Sequence, residues 1–199
     1  MLLKRDTAMS INLDAILAAA HDHAMTVIAP NVDAWNRAGT WPREASDAAG
    51  AAGLTGLYAP EDWGGQGLSL AEGIQVYEQL GLGDGAYAFA LSMHNICTFA
   101  GCGYGTDAFK QQWARDLTSG RKLANFALTE PQSGSDPMTM YTRAQINDDG
   151  TWTINGAKAW VSLATEADVY FTVVKTSDAP GHKAMAMLAI PADAPGLSI

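Results

Sequence analysis

A chain of 199 residues, 48% hydrophobic and 17% charged, is long enough for one packed domain or two small ones. Its net charge of −9 argues against a nucleic-acid role, since phosphates would be repelled, and no apolar run reaches the length that spans a bilayer. Cys97 and Cys102 lack C-x-x-C spacing and a nearby histidine pair, and the N-terminus lacks a signal-peptide core, so the expectation is a cytoplasmic protein with buried thiols and no metal site.

The first half reads as helices. Over Asn12–Asn36, Leu13, Ile16, Leu17, Ala20, Ala24, Val27 and Ile28 fall at spacings of three and four, one apolar stripe that Pro30 kinks or divides. His21 and His23 on this segment read as solvated. Arg43–Ala52 is a short helix stopped by Gly53, and Gly56–Gly67 is a loop in which Gly64, Gly65 and Gly67 serve backbone geometry. Leu70–Leu82 and Tyr87–Cys102 follow as helices, Ser69 and Glu72 forming a capping box for the first. Thr106 or Asp107 caps a further helix to Leu117, which Ser119-Gly120 ends.

Near Arg121 the apolar period shifts from 3.6 toward 2. Ala124–Leu128, Tyr141–Ile146, Trp152–Ile154, Asp168–Lys175 and Lys183–Ile190 read as strands. The Asn147–Gly150 and Asn155-Gly156 turns separate strands as hairpins do. The expected class is α+β, with a helical domain over residues 1–120 and an antiparallel, barrel-like β-domain over 121–199.

Two segments of the second half carry chemistry. FALTEPQSGSD (residues 126–136) packs the Thr129 hydroxyl, a rigid Glu130-Pro131 break and a Ser133–Asp136 turn into one stretch. TWTINGAKAWVS (151–162) ends in Trp160-Val161-Ser162. Hydroxyls and N–H groups beside a permissive glycine can hydrogen-bond a planar polar ring or a phosphate, and a tryptophan offers a stacking face. Two such patches point to one cofactor held by a loop and a strand end.

This pair resembles the flavin-binding signature of the acyl-CoA dehydrogenase family, a (Y/F)-x-(L/V/M)-T-E-P-x-(A/S)-G-S-D segment followed by I-N-G-x-K-x-W-I-(T/S). Val161 replaces the usual isoleucine, and Ser162 keeps the hydroxyl of the commoner threonine. The resemblance continues through YAPEDWGGQGLSLAE (58–72) and YGTDAFKQQWARDLTSGRKLANFALTEP (104–131), in the family's order. It implies FAD as cofactor, with Phe126, Leu128, Thr129, Trp160, Val161 and Ser162 at the flavin. Gly134 and Ser135 would lie near the pyrophosphate, and Ser135 also near the thioester end of the substrate. The implied reaction is α,β-dehydrogenation of an acyl-CoA, in a homo-oligomer served by an electron-transferring flavoprotein.

The family's C-terminal helical domain, with its proton-abstracting glutamate, has no counterpart in the 199 residues, so the resemblance implies a partial dehydrogenase with no catalytic residue of its own and no turnover alone. A flavin-dependent oxidase or monooxygenase on the same scaffold, and a non-catalytic fragment or interaction subunit, are the alternatives. Plainer roles are open residue by residue. Trp160 can be a core aromatic at a strand end. Asp136 can simply hold the loop, and His94, on an apolar helix, can be a satisfied core histidine.

Overall fold

The computed structural model describes residues 12–199, in two compact units that divide between Arg121 and Lys122. The first unit is helical. α1 (Leu13–His23) starts where the Asn12 side chain accepts the Ala15 N–H, and runs on through a π turn (Ala24–Ile28). A break at Ala29–Asn31 leads to α2 (Val32–Ala38), so Pro30 divides the segment. After α3 (Arg43–Ala51) the loop carries one 3-10 turn, Glu61–Trp63. Gly65 is obligatory there, because any Cβ would overlap the Ala59 backbone.

α4 (Leu70–Gly81) opens with the full capping box: the Ser69 N–H donates to the Glu72 carboxylate at 2.7 Å and the Glu72 N–H to the Ser69 hydroxyl at 3.3 Å. α5 (Gly85–Tyr104) is 20 residues long and contains no charged side chain. α6 (Asp107–Phe109), a π turn (Lys110–Ala114) and α7 (Arg115–Thr118) close the unit.

Ile28, Leu54, Leu57, Val76, Leu80 and Leu91 form the centre of its core. His23, expected in solvent, lies inside at 4% exposure, because it sits one turn beyond the buried Ala20 on the same face. The Tyr87 hydroxyl donates to the Ala45 carbonyl at 2.9 Å and therefore accepts from His23 Nε2–H at 3.0 Å. Burial holds the His23 pKa below its ordinary value, against the opposing pull of Asp22. His94 is a staple: its Nε2 lies 3.1 Å from both the Thr55 and Leu117 carbonyls, fully buried.

The second unit is a five-stranded sheet of β1 (Ala124–Ala127), β2 (Arg143–Ile146), β3 (Trp152–Asn155), β4 (Val169–Lys175) and β5 (Met185–Pro191). β4 is the hub. It pairs antiparallel with β5 from Val169↔Pro191 to Lys175↔Met185, and parallel with β1 from Ala124↔Val169 to Ala127↔Thr172. β2 meets it in parallel at Arg143↔Lys175, and β2–β3 is an antiparallel hairpin closed by Asn147–Gly150.

The α+β class stands, but the sheet is mixed where an antiparallel one was expected. The reason lies at Asn155-Gly156, which is not a hairpin turn. β3 ends at Asn155, and residues 156–168 form a connection long enough to bring β4 back in parallel. Gly156 instead permits close approach, since a Cβ there would collide with Thr142.

Candidate functional site

β1 delivers the first motif. The chain leaves the sheet after Ala127, and Pro131-Gln132 form a turn sealed by reciprocal backbone bonds, Glu130 N–H to Ser133 O at 2.8 Å and Ser133 N–H to Glu130 O at 3.0 Å. The Ser133 hydroxyl donates to the Asp136 carbonyl at 2.8 Å, and the Asp136 carboxylate takes the Met138 N–H at 3.0 Å. Asp136 thus holds the loop, which leaves Gly134 and Ser135 exposed, with open space around Gly134.

The second motif is stitched to the first. The Ala159 N–H donates to the Thr129 carbonyl at 2.8 Å, and Lys158 Nζ donates to the Leu128 carbonyl at 3.0 Å and to Glu130 Oε1 at 2.9 Å. Glu130 also accepts the Tyr141 N–H at 2.6 Å, the Thr142 N–H at 2.9 Å, the Thr142 hydroxyl and Gln132 Nε2. The Glu130–Lys158 pair is buried, its side chains 2% and 10% exposed respectively. Burial alone would raise the Glu130 pKa, but the donors from Thr142, Tyr141 and Lys158 outweigh it and bring it down from 4.5 to about 2. A carboxylate so weakly basic and so fully engaged is not a proton acceptor for a carbon acid near neutral pH.

Beyond Lys158 the backbone takes an uncommon shape. Trp160 sits at φ 59° and Leu163 at φ 60°, left-handed values for non-glycine residues. Leu163 is buried, but Trp160 is 92% exposed. The plain reading of Trp160 as a core aromatic is therefore wrong. Trp160, Val161 and Ser162 line a cleft of about 1300 Å³, shared with Tyr170 of β4 and with Leu188 and Ile190 of β5.

Phe126, Leu128, Thr129, Gly134 and Ser135 do not line that cleft. Of these, Leu128 and Thr129 meet the second motif through their carbonyls, as just described. Among the described residues the hydroxyls of Thr129, Ser135 and Ser162 make no hydrogen bond within the chain.

The roles of three further residues escaped the sequence reading. Glu130 and Lys158 were visible as motif letters, but nothing in their separation of 28 positions announced a buried ion pair. Asn125, between Ala124 and Phe126 on β1, is fully buried with both side-chain polar atoms unpartnered. Its only signal was an amide interrupting an apolar strand. Among the described residues no cluster of His, Cys, Asp or Glu can hold a metal, and no helix is long and apolar enough to cross a membrane.

Comparison with known proteins agrees with this geometry. Residues 12–121 match the acyl-CoA dehydrogenase N-terminal domain, and residues 125–199 the acyl-CoA dehydrogenase middle domain. Mitochondrial isobutyryl-CoA dehydrogenase of Dictyostelium discoideum is 34% identical over 90% of this chain and 43% of its own length. The structure of butyryl-CoA dehydrogenase from Megasphaera elsdenii superposes with a TM-score of 0.86 at 31% identity, covering 96% of this chain and 51% of that one. A glutaryl-CoA dehydrogenase from Mycobacterium smegmatis, solved in complex with FADH2, gives 0.84 at 28% identity over 96% and 48%. The chain spans about half the length of the curated relatives it matches. With both domain matches in order on a helical unit followed by a mixed sheet, the chain belongs to the acyl-CoA dehydrogenase family.

Proposed function

We propose that this chain is the FAD-binding portion of an acyl-CoA dehydrogenase, with residues 1–120 as the N-terminal helical domain and 121–199 as part of the middle domain. The observation that carries the reading is Trp160, a large apolar side chain left 92% exposed on a left-handed backbone. An outlier of this kind persists where the surroundings impose it and the site uses it.

The residues present fit a flavin nucleotide. Trp160 and Val161 offer apolar surface, the free hydroxyls of Thr129 and Ser162 offer donors for a polar ring edge, and Phe126 near the end of β1 and Leu128 just beyond it precede Thr129. The exposed Gly134-Ser135 tip allows close approach of a pyrophosphate, and the reading assigns Ser135 to the thioester end of the substrate as well. When bound, FAD supplies the hydride acceptor for α,β-dehydrogenation of an acyl-CoA thioester. These residues hold and orient it. They supply no base, because Glu130 is locked, and the proton-abstracting glutamate belongs to the part of the family's length outside this chain.

The reading extends to a homo-oligomer, supported by Leu70, Ile74, Phe89 and Ile96, which leave apolar side chains exposed on α4 and α5. An electron-transferring flavoprotein is the matching acceptor of electrons. A reducing compartment such as the cytoplasm suits the free thiols of Cys97 and Cys102.

Titration of the chain with FAD, followed by tryptophan fluorescence and the visible flavin band, tests the reading. Weak but saturable quenching is expected, and no flavin reduction on adding acyl-CoA with an artificial electron acceptor. Absence of FAD binding would overturn the cofactor assignment, and flavin reduction by any acyl-CoA would overturn the statement that these residues hold no base.

A further inference from the structure

Four chain segments converge on one buried ion pair. Leu128 before the turn, Gln132 in it, Tyr141 and Thr142 before β2, and the segment that carries Lys158 itself meet at Glu130 or Lys158. Removing two charges from water is costly, and a pair of apolar side chains of similar volume would hold the loops together at least as well. What an ion pair adds is direction. Lys158 Nζ is fixed between the Leu128 carbonyl at 3.0 Å and Glu130 Oε1 at 2.9 Å, which sets the register of Ala159 against Thr129.

The unpartnered groups of the site lie just outside this knot, the Thr129 hydroxyl one residue before Glu130 and the exposed Trp160 two residues after Lys158. Gly156 completes the arrangement by letting its segment pass against Thr142, itself a donor to Glu130.

We propose that Glu130 and Lys158 are positioning residues. Their pairing holds the Leu128–Thr129 and Trp160–Ser162 segments as one rigid platform, so that affinity for a flavin nucleotide depends on two charged groups whose charged atoms are engaged with each other and with the backbone. The inference rests on the FAD reading above, and its test separates the two.

Lys158→Met removes the charge and keeps the stem, Lys158→Arg keeps a charged donor, and Val174→Ala, at a fully buried position near the end of β4, is a control that weakens the same unit without touching the pair. In the full chain, well below its melting temperature, amide exchange at Ala159 reports the register and a fluorescence titration with FAD reports affinity. For Lys158→Met the expected result is at least about tenfold faster exchange at Ala159 and about tenfold or more weaker FAD binding, the loss of a charge-assisted bond at the platform. Lys158→Arg should recover part of both. Val174→Ala should lower the melting temperature while leaving both near wild type.

Unchanged exchange at Ala159 in Lys158→Met overturns the proposal whatever FAD does. Equal loss of FAD affinity in Lys158→Met and Val174→Ala also overturns it, since that is a stability effect alone. Faster exchange with unchanged FAD affinity overturns the positioning role if Trp160→Gly does weaken FAD. If Trp160→Gly leaves FAD affinity unchanged as well, the FAD reading itself falls, and the proposal with it.

Discussion

Replacing Trp160 with glycine should weaken the cofactor and strengthen the fold. A left-handed backbone costs a non-glycine residue about 1–2 kcal/mol, and glycine removes that cost at φ 59°. Greater freedom of glycine in the unfolded chain returns about 0.5–1 kcal/mol, leaving a net gain of up to about 1 kcal/mol. Little packing opposes it, because the indole is 92% exposed and its loss uncovers almost nothing. A rise of roughly 2–4 °C in melting temperature is the upper end of what this gain produces.

On the cofactor side, one ring face covering about 100 Å² contributes roughly 2.5 kcal/mol, so FAD affinity should fall by about one to two powers of ten. Thermal melting without ligand and fluorescence titration with FAD measure the two effects on the same samples. A variant that melts several degrees below wild type would show that the side chain stabilises the fold, and the reasoning from strain to function would fail.

The Glu130 carboxylate, held near pKa 2 against an ordinary 4.5, contributes stability that is fully present above pH 4.5 and is lost as pH falls toward 2. The shift corresponds to about 3 kcal/mol, so acid unfolding of wild type should be steep in that window and that of Glu130→Gln flatter, as followed by circular dichroism. Asn125→Leu replaces two buried, unpartnered polar atoms by apolar ones of similar shape and should stabilise the β unit by about 1–3 kcal/mol in denaturant unfolding. Destabilisation would mean that the amide is satisfied through a buried water.

Much of the fold was legible because period and punctuation agreed. The capping box at Ser69 and Glu72 and the Asn147–Gly150 turn are local devices, set by residues a few positions apart. The parallel pairing of β1 with β4 was not legible, since strand periodicity is blind to direction and Asn155-Gly156 has the letters of a hairpin. His23 was misplaced because its polarity was weighed above its position on the stripe. At the site, the motif letters located both segments, but the exposure of Trp160 and the Glu130–Lys158 pair arise only once the strands are assembled.

The hub position of β4 has a kinetic consequence. β2–β3 and β4–β5 are joined by short connections and can close early, whereas β1 reaches β4 only after the whole β2–β3 hairpin has been traversed. The strand that delivers Phe126 and Thr129 therefore docks late, on a template already formed by its neighbours. Substitutions in β1 should then speed unfolding far more than they slow folding. The recognition surface is the last part of the unit to be assembled and the first to be released, which makes a ligand bound there a brake on escape from the native state.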